Sequence, residues 1–295
     1  MMHNCTLCPR HCGVNRTSGK KGVCGETDMV RLSRAALHFW EEPCISGEKG
    51  SGTVFFSGCP LKCVYCQNRE ISMGDAGKQV SVERLSEIFL ELQEKGAENI
   101  NLVTPTHFVP QIISAVQRAK ENGLKLPIVY NTSGYETEDT IESLNGIVDV
   151  YLTDFKYMSE KLSEKYSNAK DYPEVAKNAL KKMVEQQPEP LFEDGMLKKG
   201  VVVRHLVLPG CIIDSKAVLK YVYQNFGDNV LISIMRQFTP YKLSEKFSEL
   251  NRKITDAEYM SVVRYAENLG IENGFLQEKE AAEESFIPPF TYEGV

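Results

Sequence analysis

Eight of the nine cysteines in this 295-residue chain lie within its first 66 residues: Cys5, Cys8, Cys12, Cys24, Cys44, Cys59, Cys63 and Cys66. Only Cys211 is remote. An odd number of thiols cannot pair off completely. No run approaches the roughly 18 apolar residues of a membrane span, and the first ten residues lack the apolar centre of a secretory leader. The expected location is therefore cytoplasmic, where thiols stay reduced and clustered cysteines read as metal ligands or catalysts before disulfides. The 34 basic and 40 acidic residues give a formal charge of −6, which argues against a nucleic-acid partner. A hydrophobic content of 42% is that of an ordinary globular chain, long enough to bury a core without disulfides.

Behind the cysteines, strand and helix signals alternate. Short apolar runs predict strands over residues 53–57, 99–103, 127–131, 147–152, 201–208 and 230–235. Helical spacing predicts helices over 81–95, capped by Ser81, over 108–122 and over 136–145. Asp171 is the expected cap of a further helix with Pro173 in its first turn, and Asp214 that of a helix over 215–226. Thr255 and Glu258 form a candidate capping box for a last helix over 256–269. Residues 186–200 read as an exposed loop, and 31–52 as a linker in which Glu41 and Glu42 are either substrate-facing or, as the favoured reading, solvated. Continuous apolar strands separated by helices imply a parallel sheet. Six units are too few for a closed eight-stranded barrel, so the expected fold is α/β, a partial (β/α)6 TIM-like barrel with a small Cys-rich N-terminal module, with a doubly wound sheet as the alternative. The division is residues 1–50 for a metal-binding module and linker, 51–245 for the barrel, and 246–295 for a C-terminal helix and tail. Active sites of such sheets lie at the C-terminal ends of the strands.

At one such end stands Cys59-Pro-Leu-Lys-Cys63-Val-Tyr-Cys66, spaced C-x3-C-x2-C. Three thiolates on one tight loop suit three irons of a [4Fe–4S] cluster and leave the fourth iron without a protein ligand. A zinc knuckle is the bland alternative, but structural zinc prefers four protein ligands. The motif, with Tyr65 before its third cysteine, resembles the signature of the radical S-adenosylmethionine (SAM) superfamily. Phe55 to Cys59, Cys66-Gln67-Asn68, Thr132 to Tyr135, Thr153 to Lys156, Arg204 with Leu208-Pro209-Gly210, and Phe238 to Tyr241 resemble the PflX-like group among the pyruvate formate-lyase activating enzymes. The resemblance implies that the cluster binds and reductively cleaves SAM and that the resulting radical removes a hydrogen atom from a substrate. It also implies an electron donor such as flavodoxin or ferredoxin.

Two places depart from the activator pattern. Where activators carry Gly-Gly-Glu, this chain has Val103-Thr104-Pro105-Thr106-His107, and Lys242 replaces the His expected after Tyr241. Thr104, Thr106 and His107 are still candidates for holding SAM, the threonines by hydroxyl or carbonyl oxygens. For His107 a solvent-facing place at a helix start is the alternative. Tyr65, Asn68, Asn131, Ser133, Asp154, Lys156 and Arg204 complete the candidate SAM site. Asp154 and Lys156 share one face of a strand by its two-residue period. A charge such as Arg204 within an apolar strand requires partners. His205 faces the other way and reads as structural.

Cys5, Cys8, Cys12 and Cys24 form a second set, C-x2-C-x3-C-x11-C, interleaved with turn-forming glycines. It suits zinc or an iron–sulfur cluster equally. Cys44 and Cys211 have no assigned task. The leading functional expectation is a radical SAM enzyme acting on a protein, in the manner of a glycyl-radical-enzyme activase. The alternatives are a radical SAM enzyme acting on a small molecule and, more distantly, a non-catalytic metal- or redox-sensing protein.

Overall fold

A computed structural model describes residues 2–74, 76–240, 243, 245–277 and 288–295. Tyr241 and Lys242 lie outside the described residues. In chain order the elements are β1 (Val30–His38), α1 (Pro43–Ser46), β2 (Ser51–Phe56), α2 (Arg69–Ser72), β3 (Lys78–Val80), α3 (Val82–Glu94) and β4 (Ile100–Val103). There follow α4 (Val109–Glu121), β5 (Ile128–Thr132), α5 (Glu138–Ser143), β6 (Val150–Asp154), α6 (Glu160–Ser167) and α7 (Tyr172–Gln186). The described chain continues with β7 (Leu191–Glu193), β8 (Met196–Leu206), α8 (Ile212–Phe226), β9 (Leu231–Met235), α9 (Asp256–Leu269) and β10 (Gly274–Leu276).

The strands form one open sheet in the order β10-β9-β8-β6-β5-β4-β2-β1-β3, with β7 added to β8 as a short hairpin. From β2 to β10 every neighbouring pair on that path is parallel, and β1 and β3 extend the β2 edge antiparallel. The six expected strands are therefore present as an unclosed partial barrel. The period of two assigns their side chains to two faces. Ile128, Tyr130, Tyr151, Val201 and Val203 belong to the main core, with residues of the covering helices. Val129, Val150, Leu152, Val202 and Leu231 face inward and form a separate cluster with Cys44 and Ile45. The four-residue α1 thus plugs the barrel interior, and Cys44 is part of that plug.

Several expectations need correction. The segment expected to be a linker contains β1, hydrogen-bonded to β2, and the plug. Its Leu32, Ala35 and Ala36 are buried, but a bulge between Leu32 and Arg34 breaks the alternation that marks a strand. Residues 186–200 are not a plain loop but carry the β7–β8 hairpin. Asp171 makes no capping bond to α7; its carboxylate accepts the Tyr135 hydroxyl at 2.8 Å. Asp214 lies inside α8 rather than before it, and accepts the Met158 amide at 3.2 Å. Ser81 does cap α3, and Thr255 with Glu258 forms the full capping box of α9.

The N-terminal residues fold as turns docked on the end of the barrel where the parallel strands finish. Leu7 accepts the Thr140 hydroxyl at 2.8 Å. Arg10 donates to the Pro60 carbonyl at 2.9 Å and to the Ser167 carbonyl at 3.0 Å. At the other terminus, residues 288–295 run beside β1. The Ala35 amide donates to the Glu293 carbonyl at 2.8 Å, and Arg34 pairs with the Glu293 carboxylate at 2.8 Å.

Candidate functional site

The Cys59 loop leaves β2 through Gly58, whose φ of +82° suits glycine. The Gly58 amide donates to Ile71 at 2.8 Å and the Cys59 amide to the Cys24 carbonyl at 3.1 Å. The Val64 amide donates to Tyr166 at 2.9 Å, and the Ser167 hydroxyl lies 2.9 Å from the Cys63 sulfur. Tyr65 is buried, its hydroxyl 2.6 Å from that of Tyr157. Every turn of the loop is therefore tied to the barrel or to the N-terminal turns.

One cleft at the strand ends is lined by Cys59, Cys63, Cys66, Tyr65 and Asn68 on one side and by Asp154, Lys156 and Arg204 on another. Thr104, Asn131 and Ser133 line it as well. Ten residues from four separate stretches of the sequence thus meet at one opening, with Arg204 facing them from β8. The sheet register explains the convergence. Asp154 pairs with Arg204, and Asn131 with both Val103 and Leu152, so inward-facing positions of successive strands fall in adjoining rows.

Thr106 and His107 do not join this cleft. Both are buried, with Thr106 donating to Glu136 at 2.6 Å and the His107 Nε2 donating to the Ser57 carbonyl at 2.6 Å. The expected alternative for His107, a solvent-facing side chain, does not hold either. It packs beneath the thiol loop, and its own carbonyl accepts the buried Arg16 guanidinium at 2.6 Å.

Glu41, for which the sequence leaves a cleft-facing or a solvated place open and favours the second, takes the first. It lines the cleft with a side chain only 11% exposed, and its carboxylate accepts Arg204 Nη1 at 3.0 Å. Asp154 accepts Lys156 at 2.6 Å and Arg204 Nε at 3.0 Å. Burial pushes the Asp154 carboxyl up, but Lys156 and then Arg204 outweigh it and hold it below its ordinary value. Burial likewise lowers Lys156, and the Asp154 charge reverses the effect. Glu42, fully buried next to Glu41, is raised by burial against the opposing pull of Arg204. No signal within residues 31–52 announces a cationic partner on β8.

The donor set fits an iron–sulfur cluster. Burial raises the Cys66 thiol to about 12, and the neighbouring Cys59 and Cys63 add to the rise. Cys59 is raised to about 11, first by burial and then by Cys63. The three cysteines line the same cleft, and Lys156, which also lines it, opposes the rise at Cys59 and Cys66. Among the described residues no three His, Cys, Asp or Glu side chains are already drawn into a metal cage. The fit rests on three soft sulfur donors on one loop and on a cation beside them. The N-terminal thiols also approach one another. Cys12 and Cys24 sulfurs both lie against Gly22, and burial raises Cys8 to about 12, with Cys24 and Cys5 adding to it.

A family model described as the Radical SAM superfamily matches residues 53–210. The chain is 29% identical over 280 residues to an uncharacterized protein of Methanocaldococcus jannaschii, covering 91% of this chain and 76% of that one. A second protein of that organism, named as a candidate glycyl-radical enzyme activating enzyme, is 30% identical over 138 residues, 45% of this chain and 55% of its own. Among solved structures, Streptococcus suis SuiB bound to S-adenosylmethionine matches with a TM-score of 0.49 and 14% identity, over 74% of this chain and 47% of that chain.

Proposed function

The chain belongs to the radical SAM superfamily, and from that premise we propose that it activates a protein substrate by hydrogen-atom abstraction, in the manner of a glycyl-radical-enzyme activase. Its cofactors are a [4Fe–4S] cluster and SAM. When bound, they supply one-electron reductive cleavage of a carbon–sulfur bond and removal of a hydrogen atom from the substrate.

The observation that carries the reading is that Cys59, Cys63 and Cys66 share one cleft with a buried pair of opposite charges, Asp154 and Lys156. In this reading the three thiolates hold the cluster, and the cleft beside them receives SAM. Lys156 spends one of its three ammonium protons on Asp154 among the described residues, leaving donors for a carboxylate. Thr104, Asn131 and Ser133 offer polar groups on the opposite wall, while Tyr65 and Asn68 frame the thiol loop. In this reading a polypeptide loop of the substrate enters from the open side of the unclosed barrel. The electron comes from a low-potential carrier of the flavodoxin or ferredoxin kind.

Two further assignments belong to this reading. Cys5, Cys8, Cys12 and Cys24 form a second metal centre, of zinc or iron–sulfur type, in the turns ahead of β1, within a module-and-linker segment 1–50 whose β1 and α1 join the barrel. Residues 51–245 form the catalytic region, and 246–295 a C-terminal helix and tail. Similarity to a protein named as a candidate activating enzyme supports a protein substrate over a small molecule.

Anaerobic reconstitution, reduction and addition of SAM test the chemistry. The expected product is 5′-deoxyadenosine, and it is lost when Cys59, Cys63 or Cys66 is replaced by Ala. Full activity in those variants refutes the cluster assignment. With a glycyl-radical enzyme present, a new doublet in electron paramagnetic resonance supports the protein substrate. SAM cleavage without any such signal, coupled instead to turnover of a metabolite, refutes it.

A further inference from the structure

We propose that Glu41 is a positioning residue for SAM: it locks Arg204 and Asn131 into the cleft wall so that Lys156 remains the cation facing the ligand. The proposal rests on the reading of this cleft as the SAM site. It starts from a closed triangle of hydrogen bonds. Glu41 Oε2 accepts Arg204 Nη1 at 3.0 Å, and Glu41 Oε1 accepts Asn131 Nδ2 at 3.2 Å. Arg204 Nη2 donates to Asn131 Oδ1 at 2.6 Å. Each of the three side chains thus bonds to both others. A fourth group, Asn101 Nδ2, donates to Glu41 Oε1 at 3.1 Å.

The triangle fixes orientations that no pair within it fixes alone. Turning the Asn131 amide over presents its NH2 to a guanidinium and its oxygen to a carboxylate, two repulsions at once. Arg204 also donates Nε to Asp154 at 3.0 Å, so each of its nitrogens is engaged on the framework. Arg204 is therefore a brace, and Lys156 is the cation with protons to spare.

Glu41 arrives from outside the parallel strands. It stands just before α1, and the plug residues Cys44 and Ile45 anchor that segment among Val129, Val150, Leu152 and Val202. Removing the charge leaves three donors, from Asn101, Asn131 and Arg204, converging on an amide that accepts at one atom and itself presents two protons. Arg204 is then released toward Asp154, where it competes with Lys156.

The test uses the iron-loaded full chain and measures SAM affinity by titration calorimetry, apart from turnover. Glu41→Gln is expected to weaken SAM binding about 10- to 100-fold, with iron content and melting temperature near wild type. Glu41→Asp keeps the charge and is expected to recover part of the loss. In an Arg204→Met background Glu41→Gln is expected to add nothing, because its effect passes through Arg204. Wild-type affinity in a folded, loaded Glu41→Gln protein overturns the proposal, as does a fully additive effect in the Arg204→Met background. Should Glu41→Gln fail to load, Glu41→Asp decides, and SAM affinity in it unchanged or as poor as in Glu41→Ala counts against the role. A wild-type protein that loads iron yet neither binds nor cleaves SAM instead refutes the cleft assignment itself.

Discussion

Two buried histidines show how single residues set the conditions under which this fold survives. His205 donates to the Phe155 carbonyl at 2.8 Å, and burial lowers its pKa to about 4. His107 is lowered to about 3, first by burial and then by the Arg16 charge. Unfolded histidine titrates near 6.5. Both folded values are depressed, so their contribution is complete above pH 6.5 and is lost as the pH falls through 4 and then 3. For His205 the loss is on the order of 3 kcal/mol. A calorimetric series is expected to show melting temperature falling over that window, with His205→Gln flattening it. A wild-type curve with no slope between pH 6.5 and 4 contradicts the assignment. Residue-scale legibility followed the same divide. The inward side of Asp154, Lys156 and Arg204 was readable from strand period and from the cost of burying a lone charge. Glu41 was not, because its partner Arg204 lies 163 residues away, and two adjacent glutamates in a polar segment look like any solvated surface.

At the scale of elements, the six parallel strands were legible because each is a continuous apolar run long enough to stand out. β3, β7 and β10 have only three residues each and exist because a neighbour offers hydrogen bonds. The plug helix α1 is too short to show any period. The turn between β2 and the thiol loop is where elements from both cysteine regions touch. A Cβ at Gly58 meets the Cys24 carbonyl and the Glu26 side chain, and its positive φ adds strain. Gly123 also has a positive φ, +99°, but nothing lies within 4 Å of its Cβ position. Gly123→Ala is therefore expected to cost about 1 kcal/mol, and Gly58→Ala roughly 1–3 kcal/mol more from the displaced neighbours. Denaturant melts compare the two directly. Gly58→Ala is also expected to lower iron loading, which Gly123→Ala leaves intact, and equal behaviour of the pair removes the case for a shared joint.

At the scale of the whole molecule, residues 288–295 return to β1 and to the edge of the cleft. Pro288 lines it, and the Phe290 ring packs edge-on against Phe55 at 5.4 Å in a small cluster with Ile71 and Val103. Phe290→Ala is expected to free residues 288–295 from β1. Hydrogen exchange then reports faster exchange of the Ala35 amide, with the β4 and β5 amides unchanged, and metal-free protein shows faster alkylation of Cys59, Cys63 and Cys66. Unaltered Ala35 exchange shows that the tail is held on β1 without the Phe290 ring. This closure also sets an order of events during synthesis. Arg34 and Glu293 stand 259 residues apart, so at bacterial or eukaryotic elongation rates of about 5–20 residues per second the rim is completed on the order of ten seconds or more after β1 is made. The three thiols are translated early in that interval and face no rim until it ends. Iron can therefore reach the three thiols before residues 288–295 are in place beside the cleft.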